Sequence, residues 1–190
     1  MKKTQISTKR LVLTALLAAL TVAGSALRIK VPLDITGFSA FHLGNILCAL
    51  SGILLGPWLG GLAAGLGSAI YDMFDPVYIS ECWLTFLMKG AYGIAAGLIA
   101  HGFSKTWNQS YLKALLGTIA GALTYAVLYL STSYFYSGRL LKGLTHEAAL
   151  LNLIGKLPAT VFNAGIAIIC APILAIAISK ALKRSRLSLE

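Results

Sequence analysis

Two lysines lie inside segments that are otherwise apolar enough to cross a membrane. Lys89 lies in the stretch WLTFLMKGAYGIAAGLIAH, eight positions after Glu81, and Lys156 lies eight positions after Ala148. An ionised side chain near the centre of a bilayer costs about 2.5 to 3.5 kcal/mol even on lenient scales, so each lysine needs a partner or a wet cavity. If both helices begin at the outer surface, a rise of about 1.5 Å per residue places both lysines about 12 Å deep.

Asp72, at the outer end of the third apolar segment, is the simplest partner for Lys89. One carboxylate cannot neutralise two lysines, so the two cations also indicate a ligand site. Polar groups and aromatic rings that converge on an outward-opening cavity are typical of a small-molecule site. The predicted substrate-binding residues are Phe41, His42, Asn45, Asp72, Tyr78, Trp83, Lys89, Tyr92, Asn152, Lys156 and Asn163.

Two of these groups are predicted from helical spacing. His42 and Asn45 are three residues apart at the expected outer start of the second helix, which places them on one face. Asn152, Lys156 and Asn163 lie along one broad side of the sixth helix. The ordinary interpretation of His42 alone is a helix-end residue rather than a ligand.

The composition is that of an integral membrane protein. Hydrophobic residues make up 57% of the 190 residues and charged residues only 12%, whereas a soluble domain averages about 25% charged residues. The mean hydropathy is +0.79. The apolar segments do not alternate with polar residues as barrel strands do, so an all-α membrane protein is predicted.

Six apolar segments predict a six-helix bundle formed by a single membrane domain, 1–190. The second and third are joined only by Gly56-Pro57-Trp58, which indicates a tight helical hairpin because proline disfavours a helical residue before it. The sixth contains Pro158 and Pro172, which predict a kink. The predicted helices are 10–27, 41–56, 58–74, 82–103, 111–136 and 148–182.

Lysine and arginine positions predict that both termini are cytoplasmic. With the N-terminus inside, four of these cations lie in outer loops, at Arg28, Lys30, Arg139 and Lys142, against ten on the inner side. This rule also explains the net charge of +10, so nucleic acid is not a predicted partner. The ten inner cations are Lys2, Lys3, Lys9, Arg10, Lys105, Lys113, Lys180, Lys183, Arg184 and Arg186.

Motifs of catalysis are missing from the sequence. It contains no phosphate-binding loop, no nucleophile elbow and no paired metal-ligand spacing. Its three cysteines, Cys48, Cys82 and Cys170, have no CxxC spacing. We therefore predict no enzyme activity, no catalytic residue, no cofactor and no metal, and a transporter would have to take its energy from another subunit.

Small residues recur at four-residue spacing in several helices. For glycines such as Gly93 and Gly97 this spacing predicts tight helix packing. Ala15, Ala19 and Ala23 follow the same spacing on the first helix, whose remaining face is leucine and valine, and predict a docking surface for another helix. Three outer segments, 28–40, 72–81 and 136–147, are long enough to fold over an opening and predict a lid.

These features together resemble a known family, the substrate-binding S-components of energy-coupling factor (ECF) transporters, over essentially the full length. The resemblance lies in the alanine spacing of LVLTALLAALTVAGSAL and in FHLGNILCALSGILLGPWLGGLAAGLGSAIYDMF. It continues in FLMKGAYGIAAG of the fourth helix and in KLPATVFNAGIAII of the sixth.

The resemblance implies a six-helix subunit in a prokaryotic cell membrane that binds a water-soluble vitamin or precursor from outside. It implies as partners a membrane-embedded coupling subunit (EcfT) and two cytoplasmic ATPases, which drive toppling of the S-component. Ala15, Ala19 and Ala23 would dock on the coupling subunit. The segment 28–40 and the outer ends of helices two to six would build the site, with Lys89 as a pocket cation partly balanced by Asp72.

The implied ligand is a small ring compound. FHLGN followed by GSAIYD is most similar to S-components for vitamin B6 or the pyrimidine precursor of thiamine. Two lysines equally suit a carboxylate, as in pantothenate, or a phosphate.

Three other functions remain open from the residues. A stand-alone proton-coupled carrier would use Asp72 and Lys89 as a relay. A membrane enzyme acting on lipid substrates would need a cluster of acidic residues to bind magnesium, and Asp72 and Asp75 supply only two. In a purely structural subunit, Lys89 would serve folding alone.

Overall fold

The computed structural model describes residues 7–34, 37–102 and 110–185. Within these ranges the chain forms six α-helices and one β-hairpin. A 3-10 helix, Ile79–Glu81, precedes α4, and a π-helical segment, Ser133–Leu141, continues α5. The elements are α1 (Thr8–Ala26), β1 (Arg28–Asp34), β2 (Gly37–His42), α2 (Gly44–Leu55), α3 (Pro57–Met73), α4 (Cys82–His101), α5 (Tyr111–Thr132) and α6 (His146–Arg184).

The six predicted helices are found within a few residues of their expected positions, but the first connection is not a simple loop. β1 and β2 pair antiparallel, with Arg28 opposite His42 and Lys30 opposite Ala40. The second helix therefore begins at Gly44 and not near residue 41. His42 ends a strand, so the predicted helical face shared by His42 and Asn45 is wrong. Residues 41 and 42 pair as a strand and not as the first turn of α2, because the pairing satisfies the backbone N–H and C=O groups of the segment that follows α1.

Four described segments are long and apolar enough to cross a membrane: Thr8–Ala26, Ile79–His101, Tyr111–Leu141 and His146–Arg184. The other two helices, α2 and α3, have 12 and 17 residues. They form the predicted hairpin, in which Gly56 adopts φ +84° and Pro57 begins α3. Six spans and cytoplasmic termini stay predictions. Lys2, Lys3, Lys105 and Arg186, which the orientation argument uses, lie outside the described residues.

The short helix α2 forms the centre of the bundle. It contacts α1, α3, α4, α5 and α6, and eleven of its twelve residues are buried. At its C-terminal end, the carbonyl of Leu55 accepts a hydrogen bond from Arg10 (2.7 Å), and the carbonyl of Ile53 contacts Nε2 of His101 (2.8 Å). These contacts satisfy carbonyls that a helix end leaves without partners in its own backbone.

Glycine lets α3 and α4 approach until their backbones touch. A Cβ atom on Gly93 of α4 would lie 2.8 Å from Cα of Gly61 and 2.9 Å from the carbonyl oxygen of Gly60, both on α3. The tight packing predicted from the glycine spacing is confirmed at this interface.

Gly93→Ala is expected to destabilise the bundle by about 1 to 3 kcal/mol, because the added methyl group must push two helix backbones apart. Gly90→Ala is the matched control one turn earlier, where a Cβ would meet its nearest atom at 3.6 Å. There, the better helix propensity of alanine is worth up to about 1 kcal/mol. The Tm of the detergent-solubilised protein measures both effects, and a wild-type Tm for Gly93→Ala would contradict the close packing.

Candidate functional site

A cavity lies between the hairpin and the helices that surround it. The volume open to the centre of a water-sized sphere is about 80 Å³, and the wider space around it, which includes open solvent, is about 760 Å³. Every α-helix except α2 contributes to its wall. The lining residues are Ser25, Arg28, Ala40, His42, Ser68, Asp72, Tyr78, Glu81, Thr85, Met88, Lys89, Tyr125, Tyr129, Lys156, Ala159, Thr160 and Asn163.

Lys89 is a buried cation in this wall, with 4% of its surface exposed. Its Nζ donates a hydrogen bond to Oδ1 of Asn45 on α2 and lies 3.7 Å from the centre of the Tyr125 ring. Both partners are neutral. Within the described residues, Lys89 forms no ion pair, and the predicted pairing with Asp72 is wrong because Asp72 bonds to Arg28 instead.

Arg28 and Lys30 attach the hairpin to the C-terminal end of α3 and the turn after it. A guanidinium nitrogen of Arg28 lies 3.3 Å from Oδ1 of Asp72, and the other lies 3.7 Å from Oδ2 of Asp75. The Nζ of Lys30 lies 2.7 Å from the same Asp75 oxygen. Arg28 also stacks over the Tyr78 ring at 4.9 Å. Two cations of β1 are therefore neutralised by two carboxylates at the mouth of the cavity.

The side-chain amide of Asn163 binds β2 as a neighbouring strand would. Its Oδ1 accepts a hydrogen bond from the backbone N–H of His42 (2.9 Å), and its Nδ2 donates to the carbonyl of Ala40 (2.8 Å). A further bond runs from Oγ of Ser39 to the carbonyl of Gly155 on the same helix (3.1 Å). Asn163 therefore lines the cavity while its amide fixes the hairpin on α6.

His42 connects the hairpin to the start of α2. Its Nδ1 accepts a hydrogen bond from the backbone N–H of Gly44 (3.1 Å). Burial lowers the pKa of His42 well below its ordinary value, and the nearby charges of Lys89 and Arg28 act in the same direction. The imidazole is therefore neutral at physiological pH, as an acceptor at Nδ1 requires.

Three tyrosines form a ladder beside the lysines. Tyr92 and Tyr125 stack with ring centres 6.1 Å apart, and Tyr125 and Tyr129 stack at 5.5 Å. Tyr125 and Tyr129 are four residues apart on α5, so they share the face that meets the cavity. Lys156 donates to the hydroxyl of Tyr129 at 3.4 Å. The ladder therefore presents aromatic surface and the second cation to one space.

The π-helical segment after α5 packs over the entry to α4. Oγ of Ser137 donates to a carboxylate oxygen of Glu81 (2.7 Å), and the Tyr136 ring packs edge-on against Trp83 with centres 5.8 Å apart. Such π-helical insertions occur frequently at functional sites. Together with the hairpin, this segment frames the opening.

Of the eleven predicted site residues, six line the cavity: His42, Asp72, Tyr78, Lys89, Lys156 and Asn163. Asn45 supports Lys89 from α2, Tyr92 stacks behind Tyr125, and Trp83 lies at the rim with half of its surface exposed. Phe41 packs on Phe162 with ring centres 5.3 Å apart, and Asn152 is buried in α6. These five are not lining residues.

Sequence reasoning missed Tyr125 and Tyr129, and it included Arg28 only as part of the segment 28–40 without a role of its own. The two tyrosines carry a signal in their four-residue spacing, but aromatic pairs at this spacing also occur on ordinary helix faces.

Comparison with known proteins gives two matches. The family model described as "ECF-type riboflavin transporter, S component" matches residues 5–180. A protein of Pyrococcus woesei, described as "Uncharacterized protein in gap 3'region", is 33% identical over 120 residues, which are 63% of this chain and 74% of that protein.

Asn163→Ala is expected to loosen the hairpin, because both bonds from the amide to β2 are lost. Amide hydrogen exchange at His42 should become about tenfold faster, in line with the loss of hydrogen bonds worth about 1 kcal/mol each. Asn163→Asp keeps an acceptor for His42 but removes the donor to Ala40, so it should have an intermediate effect. Equal exchange in all three proteins would show that α6 does not hold the strand.

Asp75→Asn should lower the Tm at pH 7 and lower it less at pH 3. Burial alone would raise the pKa of Asp75, but the hydrogen bonds from Lys30 and Val77 and the charges of Lys30 and Arg28 together hold it below its ordinary value. A lowered folded-state pKa contributes stability above the unfolded value of about 3.9, and this contribution is lost as the pH falls through the folded-state pKa.

The control is Glu147→Gln, which removes an exposed carboxylate at the start of α6. It should shift the Tm little at either pH. A difference between wild type and Asp75→Asn that persists unchanged at pH 3 would contradict the charge-based attachment.

Proposed function

Because the chain belongs to the family of ECF-type riboflavin transporter S components, we propose that it is the substrate-binding subunit of an energy-coupling factor importer. The family consists of transport components, which are not an enzyme class. With its long apolar helices, the chain is a multi-pass membrane protein. In this proposal it captures a water-soluble vitamin or vitamin precursor outside a prokaryotic cell, with both termini in the cytoplasm.

The observation that carries this proposal is the cavity around Lys89. A buried cation with only neutral side-chain partners is costly unless something else compensates it, and a ligand is the economical explanation. The wall also supplies hydroxyl groups and tyrosine rings, which give such a site orientation and contact area. Arg28, Ala40 and His42 of the hairpin form part of this wall.

The exposed alanine face of α1 supports docking on a coupling subunit. Ala15, Ala19 and Ala23 are all exposed, whereas Leu17 and Thr21 on the other face are buried in the bundle. A stripe of small residues lets a second helix approach closely within a membrane. We propose that this stripe contacts the coupling subunit, and that two ATPases bound to that subunit supply the energy for toppling.

The ligand in this proposal is a small ring compound. The matched family is named for riboflavin, and the sequence resemblance points to vitamin B6 or the thiamine pyrimidine. All three contain a planar heterocycle with polar substituents. Tyr125 and Tyr129 suit the ring, and Lys89 and Lys156 suit acceptor groups on it.

A stand-alone carrier is the alternative, with Asp72 and Lys89 as a proton relay. The two side chains bond to other residues, Asp72 to Arg28 and Lys89 to Asn45. A magnesium-dependent enzyme would need Asp72 and Asp75 as metal ligands. Both carboxylates instead form ion pairs, Asp72 with Arg28 and Asp75 with Lys30. These contacts favour the S-component.

Reconstitution in liposomes tests the function. The protein is combined with a coupling subunit and its two ATPases, and uptake of labelled riboflavin, pyridoxine and thiamine pyrimidine is measured with ATP inside. ATP-dependent uptake is expected only when all subunits are present. ATP-independent uptake by the isolated protein would establish the carrier instead.

Ala19→Trp and Ala15→Trp should abolish ATP-dependent uptake but leave ligand affinity within about twofold of wild type, because the bulky side chain blocks close approach of a partner helix outside the cavity. Leu123→Trp is the control, a substitution on an exposed position of α5. It should retain uptake. Loss of ligand binding in the isolated Ala19→Trp protein would contradict the docking role of this face.

A further inference from the structure

We infer that the ligand binds as an acid, with an ionised carboxylate or phosphate in contact with Lys89. The inference rests on the proposed function and narrows its substrate class, since a vitamin or precursor can be neutral or anionic.

The first argument is the charge balance of the wall. Three basic residues, Arg28, Lys89 and Lys156, line the cavity against two carboxylates, Asp72 and Glu81. With His42 neutral, the lining carries one positive charge in excess. A cavity with low-dielectric walls concentrates the field of such a charge, so an anion is attracted and a cation is repelled.

The second argument is that both acids of the wall already have partners other than Lys89. Asp72 accepts from Arg28 at 3.3 Å, and Glu81 accepts from Oγ of Ser137 at 2.7 Å. Asp72 therefore makes its ion pair with the arginine of the hairpin and none with a lysine. Among the described ion pairs, none reaches Lys89.

The third argument is the coordination of Lys89 itself. A lysine ammonium group has three N–H donors. One is directed to Asn45 Oδ1, and the group faces the Tyr125 ring. These partners hold Nζ in place without cancelling its charge. The remaining donor capacity lies in the wall of the cavity, where a ligand oxygen can accept a charge-assisted bond.

Lys156 lies across the same space, beside Tyr129. It adds positive potential on the α6 side. The two lysines thus reach the cavity from α4 and α6, in a position to flank one anionic group or to divide its oxygens between them.

Matched pairs of acid and neutral compounds test the inference. The pairs are pyridoxine 5′-phosphate with pyridoxine, riboflavin 5′-phosphate with riboflavin, and pantothenate with panthenol. Dissociation constants are measured for the detergent-purified protein at constant ionic strength. The acid of at least one pair should bind about ten- to a hundredfold more tightly than its neutral partner, which is the size of one hydrogen bond to a charged group.

Asn45→Asp is the sharpest variant because it leaves Lys89 in place. It exchanges the amide that accepts from Lys89 for a carboxylate of nearly the same shape, so the cation gains an internal counter-charge. The preference for the acid should fall below about threefold, and the Tm without ligand should rise. Lys89→Met should also lose the preference, whereas the exposed Lys113→Met on α5 should retain it.

Each outcome decides the inference. Tighter binding of the acid, lost in Asn45→Asp and kept in Lys113→Met, supports it. Equal affinity of the acid and the neutral compound in every pair that binds overturns it while leaving the transport function intact. If no compound binds, the ligand-free Tm still decides: a rise for Asn45→Asp supports an uncompensated cation, and a fall overturns it. Absence of ATP-dependent uptake with the coupling subunits, for the acids of these pairs as well as for the neutral compounds, would refute the proposed function separately.

Discussion

The buried charge of Lys89 is the constraint on which the arrangement of this bundle depends. A cation in a membrane protein's interior has to be held by polar or aromatic groups that other helices supply. Asn45 on α2 and Tyr125 on α5 do so here, from two directions. Three helices are thereby fixed around one nitrogen atom, and the shortest of them, α2, is the one that every other helix contacts.

The hairpin shows how the part of the bundle around the cavity is assembled from interactions that join distant parts of the chain. Its first strand is held on α3 by ion pairs and its second strand on α6 by the amide of Asn163. The hairpin follows directly from α1, whose alanine face is exposed. One continuous segment thus connects the surface proposed for docking with the wall of the cavity.

Sequence alone was sufficient for the helices and for several residues of the site. Runs of about 20 apolar residues have few alternatives to a membrane helix, and a lysine inside such a run is conspicuous. The sequence was insufficient to identify the partner of Lys89, because Asp72 and Asn45 are equally plausible partners until the rotation of each helix about its axis is known. The hairpin was missed since its strands are short and β1 carries charged residues. The ion pairs of Arg28 were missed because its two acids come from α3 and from the turn after it.

The interlocking of α3 and α4 has a mechanical consequence. Their glycines bring backbone against backbone, and a contact of this kind has no flexible side chain that could absorb a shift. The two helices therefore move as one stiff plate. Glycines also bring α1 and α5 against this pair, since a Cβ on Gly67 would meet the carbonyl of Ala18 and a Cβ on Gly117 that of Ala96. Any rearrangement that opens or closes the cavity therefore has to take place at the hairpin or α6.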